Sequence, residues 1–361
     1  MDALIVLLPG DGIGPEVTRE AVRVLRAVAS LFGHEFRFQE AAIGGAAVDK
    51  HGEPLPAETL ETCQGADAIF LGAVGGDKWN DTPPHLRPEQ GLLALRRELG
   101  LFANLRPLRA IPALHDASPL RPERLQGVDF VIVRELTGGV YFGERHEGET
   151  RATDLCKYDQ HEIERIARMA GEIASGRSKR ITSVDKANVL ATSRLWRKTV
   201  ERVMADEFPA VELRHALIDS TAMNLITHPR DFDVILTENM FGDILSDEAA
   251  GVVGSLGLLP SASCGAEKPG VFEPVHGSAP DLTGKGIANP YAAILSAALL
   301  LDQGLGLQLE AEAVRNAVDS AIGDGVLPLD IVIAEDAQAY STTETGSTVV
   351  ERITAPPAST P

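Results

Sequence analysis

Short apolar runs alternate with longer amphipathic stretches along most of this chain. Residues 4–8, 130–133 and 181–184 have the length and apolar content of buried strands. Residues 17–29 and 161–174 instead repeat apolar positions at helical spacing, with charges on the opposite face. This alternation predicts an α/β fold in which much of the strand pairing is parallel.

Polar residues directly follow three of the predicted strands. They are Arg134 and Glu135, Asp185 and Lys186, and Glu238 and Asn239. In α/β folds, ligands bind beyond the carboxyl ends of the strands. The sequence therefore predicts that chemistry is to be found in these clusters.

The glycine-rich segment GDGIGP at residues 10–15 follows the first predicted strand and opens a helix. A Rossmann fingerprint needs a third small residue where this chain has Pro15, and Gly14 stands one residue too early. Pro15 suits the first turn of a helix, where its missing N–H costs nothing. The segment predicts a tight strand-to-helix turn, with or without a ligand, and not a conventional dinucleotide site.

Charge and cysteine content restrict the class of protein. The 361 residues carry 33 basic and 52 acidic side chains, a formal net charge of −19. Such a field repels nucleic acid and anionic lipid, so we expect neither as a partner. The three cysteines are scattered along the chain and lack CxxC spacing. This disfavours disulfides and structural zinc and fits a reducing compartment. No apolar stretch is long enough to suggest a membrane span, so we expect a cytoplasmic protein.

Two aspartates, Asp243 and Asp247, lie four positions apart in an apolar neighbourhood. On a helix this spacing puts both carboxylates on one face. A mostly buried helix would require a cation between them, such as Mg²⁺ or Mn²⁺, or basic side chains. A pair on a solvated helix face remains the alternative.

Several basic and hydroxyl groups are candidates for binding an anion or moving a proton. Arg96, Arg106 and Arg134, expected at loop or strand-end positions, could bind carboxylates bidentately or form surface salt bridges. Lys186 suits proton transfer if it is partly buried, although a salt bridge to Asp185 or another acid is the alternative. Tyr141 lies in a glycine-rich segment, where it could contact a ligand or simply pack.

Four longer segments carry a resemblance to a known family. They are VRELTGGVYFGE (133–144), SVDKANVL (183–190), FGDILSD (241–247) and VFEPVHGSAPDLTGKGIANP (271–290). Together with LPGDGIGPE near residue 8 and STTETGS near residue 347, they occur in the order found in the decarboxylating 2-hydroxyacid dehydrogenases. The chain thus resembles the isocitrate and 3-isopropylmalate dehydrogenases over nearly its whole length.

The resemblance implies a two-domain α/β fold with a large mixed, mostly parallel sheet that is not a Rossmann fold. Residues 1–101 with 254–361 would form a cofactor-binding domain, and residues 102–253 a domain for substrate, metal and dimerisation. It also implies a homodimer in which Lys186 and Asp219 reach into the partner's active site.

Site residues follow from the same resemblance, position by position. Tyr141 and Lys186 are similar to the family's acid–base pair, and the metal ligands correspond to Asp219, Asp243 and Asp247. Substrate contacts correspond to Glu89, Leu92, Leu93, Arg96, Arg106, Arg134, Asn188, Val189 and Asp219. Cofactor contacts correspond to Gly76, Glu89, Glu273, His276, Gly277, Ser278, Ala279, Asp281, Leu282 and Asn289.

The substrate is suggested by fewer residues. Residues 89–96 and 101–107 resemble the isopropylmalate enzymes, in which leucines receive the isopropyl group, as Leu92 and Leu93 would here. Asp281 and Leu282 resemble the NAD-type pair, because a carboxylate can accept hydrogen bonds from both ribose hydroxyls. The expected activity is NAD-linked oxidative decarboxylation of 3-isopropylmalate, a step of leucine biosynthesis, with Mg²⁺ or Mn²⁺. The alternatives are a sister enzyme for D-malate, tartrate, homoisocitrate or isocitrate, and a non-catalytic subunit on the same scaffold.

Overall fold

The computed structural model of the chain describes residues 1–332 and 338–354. The strands in these ranges are β1 (Asp2–Gly10), β2 (Glu35–Glu40), β3 (Ala68–Ala73), β4 (Ala103–Arg109), β5 (Asp129–Glu135), β6 (Arg145–Glu147), β7 (Ala152–Asp154), β8 (Arg180–Asp185), β9 (Glu212–Leu217), β10 (Val234–Thr237), β11 (Pro260–Cys264) and β12 (Val271–Pro274). The α-helices are α1 (Gly14–Phe32), α2 (Gly44–His51), α3 (Ala57–Gln64), α4 (Pro88–Glu98), α5 (Pro122–Leu125), α6 (Gln160–Ser175), α7 (Ala191–Glu207), α8 (Ile218–Thr227), α9 (Asn239–Val253), α10 (Tyr291–Leu299), α11 (Gln308–Gly323) and α12 (Thr342–Arg352).

These elements form two compact units. The first unit is Met1–Gly100 with Ser255–Pro361. Its strands are ordered β2-β1-β3-β12-β11, and all neighbours are parallel except β11 and β12. Helix α1 packs against α10 and α12, and its apolar stripe is fully buried at Val17, Leu25 and Val28. This burial is the physical result of the helical spacing of apolar residues in the sequence.

The second unit is Leu101–Gly254. Its strands are ordered β4-β5-β10-β8-β9, with β4 antiparallel to β5 and the remaining neighbours parallel. Strands β6 and β7 form a separate antiparallel pair. The predicted mixed, mostly parallel α/β architecture is therefore confirmed, and the antiparallel pairs distinguish it from an all-parallel Rossmann sheet.

The register of the second unit positions the polar strand ends. Arg134 on β5 lies opposite Thr237 on β10, and Thr237 lies opposite Val184 on β8. Because the three strands are parallel, their carboxyl ends meet at one edge of the sheet. The segments that follow β8 and β10 start at this edge, and they contain Lys186 and Asn239.

The glycine segment after β1 forms a tight turn, and Pro15 lies in the first turn of α1 as predicted. Gly12 has a φ of +58°, and a Cβ at this position would lie 2.0 Å from the carbonyl oxygen of Ser278. The carboxylate of Asp11 accepts hydrogen bonds from the backbone N–H groups of Gly45, Ala46 and Gly75. The turn is therefore a structural junction of the first unit.

All three cysteines are free thiols, as their spacing predicts. Within the described ranges, no helix is both long and apolar enough to cross a membrane.

Candidate active site

Asp243 is the centre of a polar cluster in the second unit. Its carboxylate accepts a hydrogen bond from Nη1 of Arg134 and another, 2.9 Å long, from the hydroxyl of Tyr141. Nη2 of Arg106 lies 3.7 Å from the same carboxylate. Burial opposes the charge of Asp243, but Arg134 and Arg106 outweigh burial and hold the pKa of this carboxyl below its usual value.

Asp247 follows one turn later on α9, as the spacing predicts. Nη1 of Arg106 lies 3.8 Å from its carboxylate. Partial desolvation and the charge of Asp243 raise the pKa of Asp247 against the opposing effect of Arg106. Most of α9 is buried, as expected, but the face with Asp247 is exposed, and Ile244 on it is 56% exposed. The exposed carboxylate of Asp247 and the partly buried one of Asp243 present oxygen ligands of the kind that Mg²⁺ and Mn²⁺ prefer.

The third aspartate of the expected metal site, Asp219, lies elsewhere in the chain's own fold. Its Oδ1 is 2.5 Å from Nζ of Lys186. Among the described residues, no group of three His, Cys, Asp or Glu side chains could hold a metal ion. Asp243 and Asp247 are thus brought together by one chain, and Asp219 pairs with the lysine instead.

Arg106 and Arg134 are both buried and held by neutral side chains as well as by the aspartates. Arg106 points from the interior of β4, not from a loop or strand end as expected, and donates to Asn104 Oδ1 at 2.8 Å and to Ser246. Asn239 Oδ1 accepts from both Nε and Nη2 of Arg134. Such guanidinium groups are fixed in orientation, which is a requirement for bidentate binding of a carboxylate.

Tyr141 ends the short Gly139–Tyr141 turn that follows β5. The guanidinium of Arg134 lies 5.7 Å from its ring centroid. Burial, and then the charge of Asp243, raises the pKa of the Tyr141 hydroxyl. The phenol therefore keeps its proton at neutral pH and can act as a hydrogen-bond donor or an acid.

Lys186 is the first residue after β8, and its backbone N–H donates to Ser193 Oγ at 3.0 Å. Its side chain is 27% exposed, and its salt bridge is made with Asp219, not with Asp185. Asp185 is buried and accepts two hydrogen bonds from Arg197. The next two candidate substrate contacts, Asn188 and Val189, are exposed.

The candidate residues of the first unit lie on α4 and around β12. Leu92 and Leu93 are half-buried on α4, one turn before Arg96. Nη2 of Arg96 donates to Oε1 of Glu273 at 2.7 Å. The carboxylate of Glu89 lies against the backbone of Gly75, where an added Cβ would be 2.7 Å from Oε1. The structure therefore brings the predicted α4 contacts close to two predicted cofactor segments.

The predicted cofactor loop after β12 is held by its own unit. The N–H of Ile13 donates to the carbonyl of Ser278, and Asn289 Oδ1 accepts from the N–H of Tyr291. Burial lowers the pKa of His276, and its buried Nε2 finds no partner among the described residues. The remaining cofactor candidates are exposed or half-buried: Gly76, Gly277, Ala279, Asp281 and Leu282.

Several buried polar groups beside Arg134 are not among the predicted site residues. Asn239 holds the guanidinium, Tyr158 accepts from the N–H of Asn239, and Glu238 accepts from the N–H of Phe241 to cap α9. Burial raises the pKa of Glu238 and of Glu135. The signal for Glu238 and Asn239 was their position after β10, but nothing in the sequence shows which side chain they contact.

Comparisons with known proteins identify the family of the chain. The chain matches the family described as isocitrate/isopropylmalate dehydrogenase over residues 4–349. It is 59% identical to a 3-isopropylmalate dehydrogenase of Geobacillus kaustophilus, covering 91% of this chain and 89% of that one. It is 56% identical to the Bacillus subtilis protein of the same name, covering 93% of each.

Two solved structures have the same fold. Isocitrate dehydrogenase from Methylococcus capsulatus superposes with a TM-score of 0.86 at 35% identity, covering 97% of this chain and 99% of that one. The β-decarboxylating dehydrogenase from Thermococcus kodakarensis gives 0.80 at 40% identity, covering 97% and 96%. The chain belongs to the isocitrate/isopropylmalate dehydrogenase family.

Proposed function

We propose that this chain is a 3-isopropylmalate dehydrogenase that oxidises and decarboxylates its substrate with NAD⁺ and a divalent cation. The observation that carries the proposal is the cluster of Arg106, Arg134 and Tyr141 around Asp243. It combines carboxylate-binding groups, a protonated acid and an oxygen ligand for a cation within one site. The names of two similar relatives support the same substrate, and with it a step of leucine biosynthesis. The three free thiols fit a reducing compartment, so we propose the cytoplasm as its location.

The two buried arginines are suited to a dicarboxylate. Each guanidinium is already oriented by a neutral acceptor, Asn104 for Arg106 and Asn239 for Arg134. A preorganised guanidinium loses little freedom when it binds a carboxylate, so the substrate is held at low entropic cost. We assign Arg96, now paired with Glu273, to the same anion.

Asp243 and Asp247 would hold the divalent cation, and Asp219 from the second subunit of a homodimer would complete the ligand set. When bound, Mg²⁺ or Mn²⁺ acts as a Lewis acid toward the oxygen atoms of the substrate. The side chain of Asp247 is exposed, and partial desolvation and then the charge of Asp243 raise its pKa, which fits a carboxylate that gains a cation. Without the cation, Arg106 and Arg134 neutralise the two carboxylates.

Lys186 and Tyr141 would move the protons. Lys186 takes the proton of the C2 hydroxyl, with Asp219 beside it to stabilise the resulting ammonium. Loss of CO₂ from C3 then leaves an enolate, whose oxygen takes the proton back from Lys186. Tyr141, which keeps its proton at neutral pH, protonates C3, and Lys186 regains the enol proton as the C2 ketone forms. Both residues lie at or just beyond the strand ends of the second unit.

The loop after β12 would bind the adenosine half of NAD⁺, which accepts the hydride from C2 when bound. Exposed Asp281 is suited to the two ribose hydroxyls and unsuited to a 2′-phosphate. His276 offers a buried ring nitrogen that has no partner among the described residues. The exposed backbone of Gly277 allows close approach of a ligand.

Exposed apolar side chains on α8 and α9 support the homodimer. Met223 is 59% exposed and Ile244 is 56% exposed, and Ile226 is also exposed. These two helices pack against each other in the second unit, so the exposed apolar side chains lie on neighbouring helices. A second copy of the chain would bury these side chains and bring Lys186 and Asp219 to the other active site.

Substrate choice is the part of the proposal that depends on fewest residues. Leu92 and Leu93 would bury the isopropyl group, at roughly 0.8 kcal/mol for each buried CH₂. An enzyme for isocitrate would need polar groups there, because an apolar wall cannot cheaply desolvate a third carboxylate. A non-catalytic subunit is disfavoured because Tyr141, Lys186 and the aspartates are all present.

The test is NADH formation by the purified protein on 3-isopropylmalate, D-malate, tartrate, homoisocitrate and isocitrate. We expect the highest kcat/KM with 3-isopropylmalate. Leu93→Ser should lower that value roughly tenfold and leave D-malate oxidation nearly unchanged, because it removes apolar contact only with the branched substrate. Leu309→Ser, at an exposed position of α11, serves as the control. Faster turnover of another member of the panel would assign the chain to a sister enzyme.

A further inference from the structure

Asn239 is the first residue of α9, and only 1% of it is exposed. Its Oδ1 accepts hydrogen bonds from Nε of Arg134 at 3.0 Å and from Nη2 at 2.8 Å. Its Nδ2 donates to the carbonyl oxygen of Gly138 at 3.2 Å. One side chain thus contacts both the arginine and the segment that leads to Tyr141.

The contact with Arg134 determines which edge of the guanidinium can meet a carboxylate. A guanidinium has two edges for bidentate binding, Nε with one Nη, and the pair of Nη atoms. Asn239 occupies the first edge, which directs a substrate carboxylate to the second, where it would take the place that Asp243 now holds at Nη1. A rotation of the guanidinium about its long axis would break both hydrogen bonds to Asn239.

The first turn of α9 is shaped around the same arginine. A Cβ at Gly242 would lie 2.7 Å from Cγ and 2.8 Å from Cβ of Arg134. A side chain at this position would displace the stem of Arg134 from Asn239. Gly242 therefore provides the space and Asn239 the polar contact.

Asn239 is itself fixed by buried groups. Its N–H donates to the hydroxyl of Tyr158 at 3.0 Å, and the ring of Tyr158 packs edge-on against Trp196. The carboxylate of Glu238 accepts from the N–H of Phe241 at 2.7 Å and caps the helix. The side chain of Asn239 is therefore held in place before any ligand binds.

We propose that Asn239 is a positioning residue of the active site, which orients Arg134 for a substrate carboxylate and holds the Gly138 segment so that Tyr141 reaches its proton-transfer position. The inference rests on the proposed function, since it assigns Asn239 to the same site. Asparagine suits this position because one group must accept from Arg134 while the other donates to Gly138. Aspartate can do only the first, and alanine neither.

These two tasks can be separated by two variants. Asn239→Asp keeps the acceptor for Arg134 but sets a carboxylate oxygen against the Gly138 carbonyl. We expect a KM for 3-isopropylmalate within about threefold of the wild type and a kcat at least tenfold lower. Asn239→Ala removes both contacts, so KM should rise roughly 10- to 100-fold and kcat should also fall. Asn316→Ala, at an exposed position of α11, is the matched control.

A second measurement does not depend on turnover. Isothermal titration with malonate in the presence of Mg²⁺ reports carboxylate binding without turnover, because malonate is a dicarboxylate that has no hydroxyl to oxidise. Asn239→Ala should weaken malonate binding at least tenfold, and Asn239→Asp should leave it nearly unchanged. Thermal unfolding of each variant separates a loss of fold from a loss of positioning. If Asn239→Ala does not fold, the contrast between wild type and Asn239→Asp carries the test.

The outcomes distinguish the two proposals. If the wild type oxidises no member of the substrate panel but malonate binding weakens in Asn239→Ala, the proposed function is wrong and the positioning role stands. If the wild type is active and the kinetic constants and malonate affinity of Asn239→Ala match those of Asn316→Ala, the positioning role is refuted. The positioning role would also be refuted if Asn239→Asp and Asn239→Ala changed kcat by the same factor and KM by the same factor. A purely structural role predicts no difference of this kind between the two variants.

Discussion

Replacing Tyr141 with phenylalanine tests the acid assigned to this active site. The substitution removes one hydroxyl, whose hydrogen bond to Asp243 Oδ2 is 2.9 Å long. The ring and its contact with Arg134 remain, so the shape of the site is preserved. The variant therefore isolates the proton from the packing of the side chain.

The expected effects on stability and on rate differ in size. A hydrogen bond to a charged acceptor contributes about 1.5–3 kcal/mol when it is well buried, and Tyr141 is only partly buried. We expect Tyr141→Phe to lose roughly 1 kcal/mol of folding stability. Loss of a general acid lowers kcat by about 10²- to 10⁴-fold, which corresponds to a barrier increase of roughly 3–5 kcal/mol. The kinetic effect should therefore dominate.

The assay is NADH formation in the steady state and in a single turnover. Tyr141 acts after hydride transfer in the proposed sequence, so the first turnover should still produce NADH while later turnovers are slow. Tyr340→Phe, at an exposed tyrosine of the first unit, is the control. A kcat within threefold of the wild type would show that Tyr141 is not the acid. Loss of the first NADH as well would place its role at or before hydride transfer.

Three further predictions address the metal, its ligands and a half-buried histidine. Chelation with EDTA should abolish NADH formation, and added Mg²⁺ or Mn²⁺ should restore it. Asp247→Asn should raise the Mg²⁺ concentration for half-maximal activity at least tenfold, since one carboxylate ligand is lost, and an unchanged requirement would exclude Asp247 as a ligand. Burial, and then the charge of Arg197, lowers the pKa of His215 in the folded protein. The stability that the neutral imidazole contributes is therefore fully present above about pH 6.5, the pKa of an unfolded histidine. It is lost as the pH falls through the lowered pKa of the folded state. Denaturant midpoints of His215→Gln should therefore fall less between pH 7.5 and pH 5.5 than those of the wild type or of His51→Gln, and equal slopes would contradict this origin.

Periodicity and spacing were sufficient for much of the fold and for one part of the site. The apolar stripe of α1 and the first-turn position of Pro15 follow from local sequence, because helical spacing and a fixed φ act within a few residues. Asp243 and Asp247 share a helix for the same reason. Local rules of this kind need no knowledge of the rest of the chain.

Contacts between distant segments could not be predicted in this way. Arg106 was expected at a loop or strand end and lies inside β4, because an apolar-polar pattern does not distinguish a buried arginine with polar partners from an exposed one. Arg134 and Asn239 are 105 positions apart, and their hydrogen bonds depend on β5 and β10 being neighbours in the sheet. Strand order is a property of the whole unit, so no local signal reveals the contact.

Charge balance explains why the proposed site would need its cation to bind a dicarboxylate. Arg106 and Arg134 carry two positive charges, and Asp243 and Asp247 carry two negative ones, so the cluster is close to neutral in a chain of net charge −19. A dianionic substrate would meet no net attraction there, while the surface as a whole repels it. A divalent cation between the aspartates releases both arginines from neutralising them and restores two positive charges at the site. Substrate affinity and metal affinity should therefore be coupled, since each ligand supplies the charge that the other one requires.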